Sequence, residues 1–97
     1  MSHSSIERKL IAVSEQIRVL QKELGVIEEQ LVYVMDTEDD ARLRSIVTET
    51  PVAVGEHREA TKAVAAIRRD REARMNKLAK LESKQDALLD RLSQVRS

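Results

Sequence analysis

Residues 6–34 read IERKLIAVSEQIRVLQKELGVIEEQLVYV, and the spacing of the apolar residues in this stretch decides the fold. Ile6, Leu10, Val13, Ile17, Leu20, Leu24, Ile27, Leu31 and Val34 alternate at intervals of four and three. In heptad terms Leu10, Ile17, Leu24 and Leu31 are a positions, and Ile6, Val13, Leu20, Ile27 and Val34 are d positions. A helix that merely covers a globular core drifts at 3.6 residues per turn. A repeat held at 3.5 keeps its apolar seam against another helix along its whole length. The chain is therefore expected to be all-α and to work by contact.

Composition agrees with this reading. The 97 residues include no Cys, Trp or Phe, two Gly, one Pro and a single aromatic residue, Tyr33. Charged residues make up 35% of the chain. This is the profile of long helices, and the length suits a single domain. A small helical pair buries little surface per residue, so association with a second chain is expected.

The absence of Cys removes disulfides, thiol catalysis and thiolate zinc sites, and fits a cytoplasmic address. No apolar run is long enough to span a bilayer, and the N-terminal Met-Ser-His-Ser-Ser has no secretory pattern. The formal net charge is zero, so there is no overall basic excess to draw the chain to nucleic acid.

Reading outward from the seam, Ser4 and Glu7 have the spacing of a capping box, which predicts a first helix over about 5–35. Gly25 falls at a b position, off the seam. After Val34 the segment Asp36-Thr37-Glu38-Asp39-Asp40 suggests a turn. There Asp36 or Thr37 would cap a new helix, and the carboxylates would favour its positive end. A short second helix is expected over about 38–48, with Ala41, Leu43, Ile46 and Val47 as its apolar residues. Thr50-Pro51 is a good N-cap and first-turn pair. The third helix is expected over about 56–94, with Val52 to Gly55 as a loose first turn or connector.

The last helix has its own heptad seam at Ala60, Val64, Ile67, Arg71, Arg74, Leu78, Leu81, Gln85, Leu88, Leu92 and Val95. Its polar members, Arg71, Arg74 and Gln85, would set register and partner choice. The expected architecture is an antiparallel coiled-coil hairpin with a short helix at the turn. Setting Val34 beside Ala60 brings Leu20 to Arg74 and Glu23 to Arg71. The first helix also has apolar residues outside its seam: Val19, Val26 and Tyr33 at c, and Ile11 and Val32 at b. The short helix would cover Val32 and Tyr33. For Ile11 and Val19 a second copy is the simplest cover, and a foreign partner is the alternative.

Little in the chain points to catalysis. His3 and His57 have no second His or Cys at metal-ligand spacing. The Ser and Thr residues lack a His-Asp arrangement, and there is no Gly-rich phosphate loop. No cofactor is expected, and the protein is not expected to be an enzyme. The charges are uneven, with six acidic and no basic residues from Glu28 to Asp40 and a basic excess from Glu56 to Lys84. In the run Arg68-Arg69-Asp70-Arg71-Glu72-Ala73-Arg74 the interleaved acids favour ion pairs along the helix. No aromatic residue is present there to stack on bases, so a nucleic-acid-associated helix is the weaker reading.

The segment Asp36-Thr37-Glu38-Asp39-Asp40-Ala41 has the form D-x-x-D-x-A at the end of a coiled-coil helix. It resembles the fingertip of the DksA and Gre-type factors, bacterial transcription regulators that insert an acidic-tipped coiled coil into the secondary channel of RNA polymerase. The resemblance covers these six residues and the architecture. It implies a contact with RNA polymerase made by Asp36, Asp39 and Asp40, with Ala41 as the small residue that follows. The chain departs from that family in having no zinc-binding cysteines and in having Pro51 close behind Ala41, where the returning helix should be continuous. The expectation from the residues themselves is a small interaction or adaptor protein that binds itself, another protein or both.

Overall fold

The seam does not end at Val34. In the computed structural model, which describes Ser2 to Arg96, the first helix α1 runs unbroken through His3–Thr48. The second, α2, runs through Pro51–Arg96. Only Glu49 and Thr50 lie between them, and the two helices form an all-α hairpin.

Ser2 caps α1 in place of Ser4, its hydroxyl oxygen accepting from the Ser5 backbone N–H at 3.2 Å. Thr50 caps α2, accepting from the Ala53 N–H at 3.2 Å, and Pro51 occupies the first helical position, where no backbone donor is required. Glu49 adopts a φ of 54°, the left-handed conformation that stops an α-helix, and its N–H donates to the Ser45 carbonyl.

The acidic segment therefore contains no turn and starts no short helix. Thr37 does not cap forward; its hydroxyl donates back to the Tyr33 carbonyl at 3.0 Å. The Asp39 carboxylate takes Arg42 one turn ahead at 3.0 Å. With no Gly or Pro in the segment, each Asp costs only a few tenths of a kcal/mol of helix propensity, which packing overrides. The heptad frame continues through Glu38, Ala41 and Ser45, all at least partly buried. On α2 it extends backward through His57 to Ala53, so Val52 to Gly55 belong to the helix. At the other end the seam stops at Leu92; Val95 is exposed.

The contacts divide the chain into two compact units. One contains the residues up to Leu24 together with those from Arg74 onward. Its core is Ile6, Val13, Ile17 and Leu88, with Leu10, Leu78, Leu81 and Leu92 packed against it. Ile6 is only 1% exposed. The other unit spans Gly25–Ala73 and contains the turn. Its buried positions are Ile27 and Val64 and, nearer the turn, Ala41 and Ala53. The seam thus passes from large aliphatic residues to small and polar ones, with Glu38, Ser45, His57 and Ala60 only partly buried.

Candidate functional site

Each polar position in the α2 seam meets a polar group on α1. In the unit that contains the chain ends, Arg74 donates from Nε to Glu23 at 3.1 Å, and the Gln85 amide donates to the Ser14 hydroxyl at 3.1 Å. Near the helix ends Arg96 donates to His3. In the unit that contains the turn, Arg71 donates to Glu28. The expected pairing of Arg71 with Glu23 is replaced by these two pairs, so the helices are displaced from the expected register by about one turn. The two-residue connection causes this, because a turn at 49–50 leaves less slack than a turn with a helix inside it. The flanking carboxylates sit at e and g positions, where coiled coils place such partners.

The last polar layer was not foreseen. His57 Nε2 donates to Glu38 Oε1 at 2.8 Å across the seam, with both side chains more than half buried. The hydrogen bond from His57, opposed by desolvation and helped by the charge of Arg42, holds the Glu38 carboxyl below its ordinary value of 4.5. Extending the heptad frame one step past Val34 and one step before Ala60 would have predicted this pair.

The residues expected to bind a partner are separated. Asp36, Asp39 and Asp40 are exposed on the flank of α1. Asp36 lies more than three helical turns before Glu49, about 20 Å along the axis. Ala41 is 2% exposed and belongs to the seam, so it is not available to a partner. The acidic residues therefore do not form a tip.

The outward apolar residues have the opposite fate. Ile11 and Val19 are exposed in one unit; Val26, Val32 and Tyr33 are exposed in the other, uncovered because the short helix meant to cover Val32 and Tyr33 is part of α1 itself. Val19 lines an open groove with Ala12, Gln16 and Leu20. Sequence reasoning missed a further group beside the turn, where Leu43, Ile46, Val47, Val52 and Val54 all face solvent. The continued frame places Leu43 at f, Ile46 at b and Val47 at c, all outside the seam, so the signal was present.

Among the described residues no three His, Cys, Asp or Glu side chains come together in a way that could hold a metal ion. Among those residues, too, no helix is long and apolar enough to cross a membrane. No family model matches the chain, and the comparisons with curated proteins and with solved structures also find no match.

Proposed function

We propose that this chain is a non-enzymatic interaction module, a helical hairpin that associates with a second copy of itself through the outer side of α1. One observation carries the reading: after α1 and α2 have packed, Ile11 and Tyr33 are still 71% and 72% exposed, and Val19 and Val26 are about half exposed. Fully burying an exposed side chain of this size contributes about 1.5–3 kcal/mol, and covering the exposed part of these four would contribute a proportionate share of that, which favours a covering partner. Three of the four occupy c positions of one continuous heptad frame, the regular spacing that a partner helix reads. The polar layers at Glu23–Arg74 and Glu28–Arg71 support the same reading. Each holds α1 against α2 within its own unit and leaves the outer side of α1 free of these contacts.

Sedimentation velocity tests the proposal. The wild-type chain is expected to run as a dimer or larger at micromolar concentration. Replacing Val19 and Val26 together with Glu should shift it toward smaller species without loss of helical circular dichroism. A wild-type chain that sediments as a monomer refutes self-association.

A further inference from the structure

We propose that a groove along one edge of the first unit receives residues 26–40 of α1 from a second copy, running antiparallel to the α1 that lines the groove. The inference rests on the self-association proposed above and names the two surfaces that meet. The c and g positions of α1 fall on one side of the helix, and there Ala12, Gln16, Val19 and Glu23 alternate apolar and polar. α1 thus has a second stripe at heptad spacing beside its buried seam, the pattern of a helix with two neighbours. Two open grooves follow this stripe within the first unit. One is lined by Val19 and Leu20, with Glu23 and Lys77 beside them. The other is lined by Val13, Ala87 and Leu88, with Lys9, Lys84 and Arg91 beside them. Ala12 and Gln16 line both, so the two are continuous.

Charge selects the occupant. Lys9, Lys77, Lys84 and Arg91 outnumber the two carboxylates of the groove, Glu15 and Glu23, and Glu23 is already paired with Arg74. The complement is an acidic helix with apolar residues on the same side. Residues 26–40 of α1 have that character, with six acidic residues, no basic ones, and Val26 and Tyr33 exposed. Glu28, Glu38 and Asp39 are engaged within their own chain, by Arg71, His57 and Arg42. Among the described residues Glu29, Asp36 and Asp40 make no ion pair, and all three are exposed. They share one side of the helix with Val26 and Tyr33, since positions 26, 29, 33, 36 and 40 recur at intervals of three and four. A phosphate backbone would be drawn to the same cations but has no apolar face to cover Val19.

The spacing of the charges matches. Lys77 and Lys84 are seven residues apart on α2, and Glu29 and Asp36 are seven apart on α1. Both intervals are two helical turns, so Glu29 can meet Lys77 while Asp36 meets Lys84. Tyr33, midway between the two carboxylates, then falls near Gln16, where the grooves join. This direction carries Asp40 on toward Lys9 and Arg91. The opposite direction would carry it toward Glu23, like charge against like.

Charge reversal followed by sedimentation tests the pairing. Lys77→Glu with Lys84→Glu in one chain, and Glu29→Lys with Asp36→Lys in another, should each weaken self-association about tenfold or more, with helical circular dichroism unchanged. An equal mixture of the two chains should recover wild-type association, because each then offers the charge that the other lacks. Cross-linking gives an independent readout, since the chain has no native Cys. A mixture of Gln16→Cys and Tyr33→Cys chains should form the mixed disulfide faster than either chain links to itself. If the wild-type chain associates but the mixture does not recover, or like-with-like disulfides prevail, this pairing is overturned and self-association stands. A wild-type chain that is a monomer removes self-association and this pairing with it.

Discussion

Alanine and glycine substituted at two positions should rank in opposite orders, and the reversal locates the turn. Glu49 has a φ of 54°. A left-handed residue bearing a Cβ costs about 1–2 kcal/mol relative to one without. Glycine returns part of that advantage, about 0.5–1 kcal/mol, through the greater freedom of the unfolded chain. Glu49→Gly should therefore exceed Glu49→Ala in stability by about 1 kcal/mol. Asp40 lies inside α1 and is exposed, so side-chain packing does not enter. There Asp40→Ala should exceed Asp40→Gly by about 1 kcal/mol, the ordinary propensity difference within a helix. In a domain of this size that corresponds to about 4–8 °C in Tm for each pair. The assay is thermal unfolding by circular dichroism at one fixed protein concentration, because any association makes Tm depend on concentration. Alanine preferred at both positions would mean that the chain does not reverse at Glu49. Glycine preferred at position 40 would put the turn back in the acidic segment.

Gly25 lies within α1 with nothing within 4 Å of an added Cβ, so Gly25→Ala should stabilise by about 0.5–1 kcal/mol, read from denaturant midpoints. Double-mutant cycles to Ala should give a coupling of about 0.3–1 kcal/mol for Glu23 with Arg74 and for Glu28 with Arg71, and none for Glu23 with Arg71; the reverse would restore the register expected from sequence. Glu38 has its pKa lowered on folding by the His57 hydrogen bond, so the unfolded state takes up a proton first as pH falls. The stability it contributes is present above its ordinary value of 4.5 and is lost as pH drops through its lower folded value. Urea unfolding from pH 6 to pH 3 should show a smaller acid loss for Glu38→Gln than for wild type, and equal slopes would remove Glu38 as a contributor.

What the sequence determined by itself is the class of fold and most of its core. Nine apolar residues held at intervals of four and three can be buried together only against another helix, and the same argument placed most of the α2 seam. The cap at Thr50-Pro51 was legible for a similarly local reason, since a side-chain acceptor followed by a residue without a backbone donor is the chemistry of a helix start. The continuation of α1 beyond Val34 was harder to see. Asp, Thr and Glu cap helices and also sit inside them, and only the tertiary fold shows that Thr37 bonds backward and that Glu38 has a partner in His57. Register was equally out of local reach. Heptads repeat every seven residues, so an apolar seam fits its partner nearly as well when slid by a turn, and the two-residue connection at Glu49 and Thr50 chooses among those positions. The exposure of Leu43, Ile46, Val47, Val52 and Val54 follows from that same choice. A helix that ends at Val34 would have used the first three to pack a turn, whereas one that runs to Thr48 carries them to the outside.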